Sequence, residues 1–82
     1  MKRRKLLAKL RRNQKNVKFE DFVNLVEGFG FTQTRTSGSH QIFTNEKVDE
    51  ILNLQKVNGE IKPYQIKQFL DMIDSNDLKL ED

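Results

Sequence analysis

One apolar stripe constrains the fold of this chain more than any other feature. Large apolar side chains recur at steps of three and four residues, which is the spacing of one face of an α-helix. They are Phe19, Phe22, Val23, Val26 and Phe29. Glu20 and Asp21 stand where carboxylates meet the positive end of a helix dipole, and Gly30 suits a helix stop. The stripe therefore predicts a helix over about residues 19–29 with one buried face.

A different pattern begins directly after this helix. Residues 31–44 are rich in Thr, Ser, Gln, Phe and Ile with a period near two, which is typical of β-strands. Ser37 and Gly38 interrupt the pattern with residues that favour turns. The sequence therefore predicts a β-hairpin with strands at about 32–36 and 40–44.

The remaining chain completes a small layered domain. A polar loop is predicted over 45–49, and a third strand over 50–55. Pro63 favours the start of a second helix, which Asn76 closes. Its apolar stripe consists of Ile66, Phe69, Leu70 and Ile73. The predicted class is α+β, with the order helix, three-stranded antiparallel sheet, helix, in which two helices cover one sheet face and leave the other open.

The charges divide the chain into an arm and a body. The first 18 residues hold nine basic side chains and no acidic one, whereas residues 19–82 hold six basic and twelve acidic side chains. Leu6, Leu7 and Leu10 have helical spacing, so the arm could form a short amphipathic helix that needs a partner surface. We predict a basic N-terminal helical arm at 1–16 and one domain at 17–82. The arm suits a polyanion, and a solvated tail is the other interpretation.

Several classes of function lack the residues that they require. The chain has no cysteine and a single histidine, so disulfide scaffolds, thiolate zinc sites and multi-histidine metal sites are excluded. We predict no metal, no cofactor and no small-molecule ligand. No apolar run approaches the roughly 20 residues that span a bilayer, which predicts a cytoplasmic protein without a membrane partner. With 82 residues the chain is one domain whose chemistry must lie near the surface.

His40 is the candidate for chemistry. Histidine is the side chain type that ordinarily titrates near neutral pH, and Gly38 and Ser39 leave the space before His40 small, polar and able to donate backbone hydrogen bonds to an anion. Neighbours in a strand point to opposite faces, so Ser39 and His40 do not form a nucleophile and base pair. Metal-free RNA cleavage fits, because RNA carries its own 2′-hydroxyl nucleophile. The other interpretation from the residues alone is a structural histidine.

Five segments resemble the HicA family of toxins from bacterial toxin–antitoxin pairs. They lie at 28–31 (Gly-Phe-Gly-Phe), 35–40 (Arg-Thr-Ser-Gly-Ser-His), 42–43 (Ile-Phe), 54–59 (Leu-Gln-Lys-Val-Asn-Gly) and 62–66 (Lys-Pro-Tyr-Gln-Ile). The resemblance covers about residues 17–80. It implies a fold like that of double-stranded-RNA-binding domains, and endoribonuclease activity on mRNA that inhibits translation. It also implies a HicB-type antitoxin as partner of a type II system.

The resemblance also assigns roles to residues. The family's catalytic histidine corresponds to His40, although many members have a second histidine or a basic residue where this chain has Gln41. Arg35 or Lys62 could stabilise the phosphate charge, and each could equally be a solvated base. Tyr64 is expected to pack its ring on the sheet and leave its hydroxyl in water.

The arm is predicted to contact a partner, and two alternative functions are open for the whole chain. The arm arginines expected to contact RNA or the antitoxin are Arg3, Arg4, Arg11 and Arg12. A non-catalytic RNA-binding module of the double-stranded-RNA-binding type is the main alternative function. A DNA-linked interaction protein, whose arm contacts operator DNA beside a partner, is a weaker one.

Overall fold

The computed structural model describes residues 2–81 and has an α+β architecture. Its elements, in chain order, are α1 Arg3–Arg12, β1 Val17–Lys18, α2 Phe19–Gly28, β2 Thr32–Ser37, β3 His40–Asn45, β4 Val48–Gln55, β5 Glu60–Ile61 and α3 Pro63–Ser75. The strands β2, β3 and β4 form one antiparallel sheet in that order. The predicted fold class is therefore confirmed, with the basic N-terminal segment as a third helix.

The hairpin between β2 and β3 turns where the glycine stands. Ser37 pairs with His40, so Gly38 and Ser39 form a two-residue turn. Gly38 has a φ of 60°, a left-handed conformation that glycine adopts without steric cost. Its position fixes the first residue of β3 as His40.

The core lies between one face of the sheet and the helices. Phe43, Leu52 and Leu54 on that face are fully buried with the apolar stripes of α2 and α3. Phe69 of α3 occupies the centre of this core. Its ring meets three other phenylalanines edge-on at centroid distances of 5.3, 5.6 and 5.9 Å, from Phe22, Phe29 and Phe31 respectively.

Helix α1 is packed on the rest of the molecule. Leu6 and Leu10 are buried in the same core as the sheet and the other helices, which provides the partner surface that a short helix needs. Arg3 donates to the backbone and side-chain oxygens of Asn24 on α2, each at 2.9 Å. The predicted division between residues 16 and 17 stays a prediction, although the two parts share one core.

An ion pair joins α1 to α3 at the surface. The guanidinium of Arg11 donates two hydrogen bonds, of 2.7 and 2.8 Å, to the carboxylate of Asp74. These hydrogen bonds raise the pKa of Arg11 and lower the pKa of Asp74, because each favours the charged partner. Both side chains are substantially exposed, so the pair orients α1 more than it stabilises the fold.

Two predicted details differ from the structure, and one strand pairing is absent from the prediction. The prediction of a polar loop at 45–49 is wrong: Asn45 belongs to β3, β4 begins at Val48, and only a tight turn lies between the two strands. Asn45 makes this turn possible, because its buried side chain donates to the Phe29 carbonyl and accepts the Lys47 backbone N–H. The pairing of β1 with β5 was not predicted. The packing of Tyr64 on the sheet is also wrong, since this residue is 66% exposed.

The described part of the chain, residues 2–81, contains no helix with the length and apolar character needed to cross a bilayer.

Candidate active site

His40 lies on the sheet face that the helices leave open. Side chains alternate between the two faces of a strand. Gln41 borders α2 and Phe43 is in the core, so His40 and Ile42 project from the opposite face. His40 is half-buried there, while Ile42 is buried outside the main core. The structure thus presents the only histidine of the chain on an accessible surface.

The imidazole of His40 is held by an amide from the neighbouring strand. The antiparallel register pairs His40 with Gln55 and Ile42 with Asn53, which makes Asn53 the diagonal neighbour of His40. Its Oδ1 lies 3.0 Å from Nδ1 of the ring. An amide oxygen only accepts hydrogen bonds, so this contact is a hydrogen bond in the tautomer that carries its proton on Nδ1 and its lone pair on Nε2.

The turn before His40 is joined to the same strand. Gln55 donates from Nε2 to Ser39 Oγ at 3.1 Å. Gly38, at the tip, has open space where a Cβ would stand. Ser39 and Gly38 therefore form an open, polar entrance to the ring.

Arg35 lies on the same face as His40. The pairing of β2 with β3 runs without a shift from Ser37 opposite His40 to Arg35 opposite Ile42, so the alternation of side chains places Arg35 on the open face. The register shifts only farther from the turn, between Gln33 and Arg35. The structure thus brings together two of the predicted site residues, Arg35 and His40, on one face of the sheet.

Lys62 occupies a different place. It caps the N-terminus of α3 and lines a groove with Lys15, Asn58 and Pro63. His40 is not among the residues that line this groove. The predicted role of Lys62 at the reacting phosphate is therefore less direct than that of Arg35.

Sequence reasoning missed a buried amide that supports the site. Gln65, in the first turn of α3, donates to the backbone carbonyl of Asn53 at 2.8 Å and accepts the backbone N–H of Gln55 at 3.2 Å. These two groups lie on the outer edge of β4, where no further strand within residues 2–81 pairs with them. Gln65 therefore closes the edge of β4 as a strand would.

The arm arginines have different environments. Arg3 and Arg11 hydrogen-bond to residues of α2 and α3, as described above, and Arg4, Arg11 and Arg12 are exposed at the surface. Since α2 and α3 cover the other face of the sheet, α1 lies on the helical side and His40 on the open side.

Carboxylates do not assemble into a cation site in the described chain. Among residues 2–81, no group of three or more His, Cys, Asp or Glu side chains is placed to hold a metal ion.

The fold and the site define a class of protein. An antiparallel three-stranded sheet with helices on one face is consistent with the fold of double-stranded-RNA-binding-like domains, and here the other face carries a histidine and an arginine. The model of the family described as "HicA toxin of bacterial toxin-antitoxin" matches residues 19–74, which is more than half of the chain. The chain therefore belongs to the HicA toxin family.

Membership in this family makes the protein the toxin of a type II toxin–antitoxin system and implies an antitoxin partner. In parallel comparisons, no curated protein and no solved structure matches the chain. The matched region contains β2, β3, β4 and most of α3, and so includes His40 and Asn53. It begins after α1, whose basic residues are thus a feature outside the match.

Proposed function

We propose that the protein is an endoribonuclease that cleaves mRNA without a metal ion and thereby inhibits translation. The observation that carries the proposal is the state of His40: its ring stands on the open sheet face with Nδ1 bound to Asn53, which leaves the lone pair of the neutral ring on Nε2. A group of this kind can accept a proton from a ribose hydroxyl. The family relationship supports the same activity.

The reaction uses a nucleophile that the substrate supplies. Nε2 of His40 takes the proton of a 2′-hydroxyl, and the 2′-oxygen forms a bond to the adjacent phosphorus. The bond from phosphorus to the 5′-oxygen breaks, and the proton that His40 took up passes to that oxygen, directly or through water, which returns the ring to its neutral state. The products are a 2′,3′-cyclic phosphate and a 5′-hydroxyl, so protons balance over the whole step.

Positive charge beside His40 would stabilise the transition state. Arg35 shares the open face with His40 and stands opposite Ile42 in the sheet. A guanidinium there can bind the equatorial oxygens of the phosphorane as their charge increases. Gly38 and Ser39 leave room for the RNA backbone to approach, and Lys62 would bind a phosphate farther along the strand.

The physiological setting follows from this activity. The substrate is mRNA in the cytoplasm, and a HicB-type antitoxin would neutralise the toxin. No small molecule or membrane enters this scheme.

Cleavage of single-stranded RNA by the purified protein is the direct test. We expect fragments that end in a 2′,3′-cyclic phosphate and a 5′-hydroxyl, in equal yield with and without EDTA. Fragment ends can be identified by mass spectrometry. Intact RNA that is nevertheless tightly bound would contradict the proposal and favour a non-catalytic RNA-binding module. Loss of cleavage in EDTA would contradict the metal-free step.

The outer face of α1 is expected to add sequence-independent attraction to RNA. Lys5 and Arg12 are exposed on the side of α1 opposite Leu6 and Leu10. Each phosphate contact that a cation makes to single-stranded nucleic acid adds about 0.7 to the slope of log affinity against log salt concentration. The double variant Lys5→Gln with Arg12→Gln should therefore bind RNA more weakly at low salt and show a slope lower by about 1.4.

A matched control removes the same charge from the body. Lys67→Gln with Lys79→Gln changes two exposed lysines that are not on α1. An equal change of slope in both double variants would contradict a specific role of α1. If the α1 variant instead loses only its affinity for the antitoxin, α1 is a protein-docking surface.

A further inference from the structure

We infer that Asn53 is the positioning residue for His40: its amide oxygen fixes the imidazole in the tautomer with the proton on Nδ1 and so keeps Nε2 available to the 2′-hydroxyl. The inference rests on the proposed function for its catalytic part. The hydrogen bond itself is a property of the free protein and can be tested without RNA.

The first step of the argument is the chemistry of the two atoms. A neutral imidazole can carry its proton on either nitrogen, and the hydrogen bond made by one nitrogen decides the state of the other. Oδ1 of Asn53, 3.0 Å from Nδ1, can only accept. The bond is therefore satisfied in the neutral tautomer protonated on Nδ1, and equally in the cation that forms when Nε2 takes up a proton.

The second step is the rigidity of Asn53. Its strand is paired with β3 on one side. On the other side its carbonyl accepts a hydrogen bond from Gln65, whose side chain is buried. The same Gln65 accepts the backbone N–H of Gln55. The backbone that carries the exposed side chain of Asn53 is thus held from both edges, which fixes the point from which its amide reaches His40.

The third step is that the side chain of Asn53 carries no charge. An aspartate at this position could accept the same hydrogen bond from Nδ1. It would also place a negative charge on the face where the RNA phosphate must bind, beside Arg35. An asparagine orients the ring without this repulsion. The amide is therefore the side chain that serves both positioning and binding of a polyanion.

The tautomer can be measured directly because His40 is the only histidine. Long-range ¹H–¹⁵N correlation spectra of the neutral protein separate a protonated nitrogen from an unprotonated one. In the parent and in Asn53→Asp we expect the proton on Nδ1. In Asn53→Ala we expect a shift towards the tautomer with the proton on Nε2. Spectra of the parent with the proton on Nε2 would overturn the inference.

Cleavage kinetics test the catalytic consequence. We expect Asn53→Ala to lower kcat about tenfold with little change in KM, which is less than the loss of His40 itself. Asn53→Asp should restore most of kcat and raise KM, because it keeps the acceptor and adds a charge that repels RNA. The control Glu50→Ala changes an exposed residue of the same strand on the other face and should behave as the parent.

The outcomes separate this inference from the proposed function. Parental kcat in Asn53→Ala, in a preparation whose circular dichroism matches the parent, would overturn the positioning role. A rise in KM alone would also overturn it, because it would make Asn53 an RNA-binding residue. Unchanged cleavage in His40→Ala would overturn the proposed function, whereas the NMR spectra would still decide whether Asn53 fixes the tautomer.

Discussion

His40→Ala is expected to slow RNA cleavage by about 10²- to 10⁴-fold, the usual contribution of a positioned acid or base. The reason is that the open sheet face offers one imidazole, and its Nε2 is the proposed acceptor of the 2′-hydroxyl proton. Induced expression of the variant without the antitoxin should not arrest growth, whereas the parent should. The rate is measured with purified protein on single-stranded RNA.

Two further variants make this result specific. His40→Gln keeps a polar side chain that cannot take up a proton at neutral pH, and it should be as inactive as the alanine variant. Gln41→Ala changes the adjacent residue, which points to the opposite face and borders α2. It should retain cleavage. Parental cleavage by His40→Ala, with matching circular dichroism, would show that the proton is moved by another group.

Arg35 and His40 would then have separable effects. Arg35 is proposed to stabilise the negative charge of the phosphate, so its loss should weaken both RNA binding and the stabilisation of the transition state. His40 is proposed to transfer a proton, so its loss should slow the chemical step alone. The register of the hairpin has a direct part in this arrangement, since its regular pairing from the turn places Arg35 on the open face with His40. A small domain thus builds its site from sheet register and not from a deep cleft.

The sequence predicts those parts of the fold that depend on local patterns. The stripes of α2 and α3 have helical period, and Gly38 marks the hairpin turn, so these elements are found within one or two residues. The sequence does not predict the pairing of β1 with β5. Its strands have two residues each and pair across more than 40 positions, and such a short segment shows no periodicity.

The site could be predicted only in part for a related reason. His40 is identified by its residue type and the segment before it. Asn53 and Gln65 act through the register of β4 and the docking of α3 on its edge. Alternation along β4 could have placed Asn53 on the face of His40, but no local pattern shows that the two are diagonal neighbours. The position of Arg35 opposite Ile42 is equally a property of the strand pairing.

The basic arm shows how charge and apolar spacing act together. Its charge alone suggests a free tail, whereas Leu6 and Leu10 attach it to the common core. Arg3 and Arg11 then hold α1 against α2 and α3 by hydrogen bonds to residues of those helices. The contacts that we propose for the arm with RNA or antitoxin therefore fall to its outer side, where Lys5 and Arg12 are exposed.

Phe69→Ala is expected to remove about 3–5 kcal/mol from the free energy of unfolding. Phe69 is fully buried, and its ring is in edge-on contact with the rings of Phe22, Phe29 and Phe31. The substitution removes these contacts and leaves a cavity between α2, α3 and the sheet. A domain of this size has a total stability of about 4–12 kcal/mol, so at least about a quarter of it would be lost.

Urea unfolding followed by circular dichroism measures this change as a lower midpoint with an unchanged slope. Tyr64→Ala is the matched control: it removes an aromatic ring from the same helix, but one that is 66% exposed, and its effect should stay within about 0.5 kcal/mol. Similar losses in the two variants would contradict the central place of Phe69. Because Phe69 and Gln65 stand one helical turn apart on α3, the weakened packing should also loosen the edge of β4. Faster exchange of the Gln55 amide hydrogen in Phe69→Ala would connect the core to the strand that positions His40.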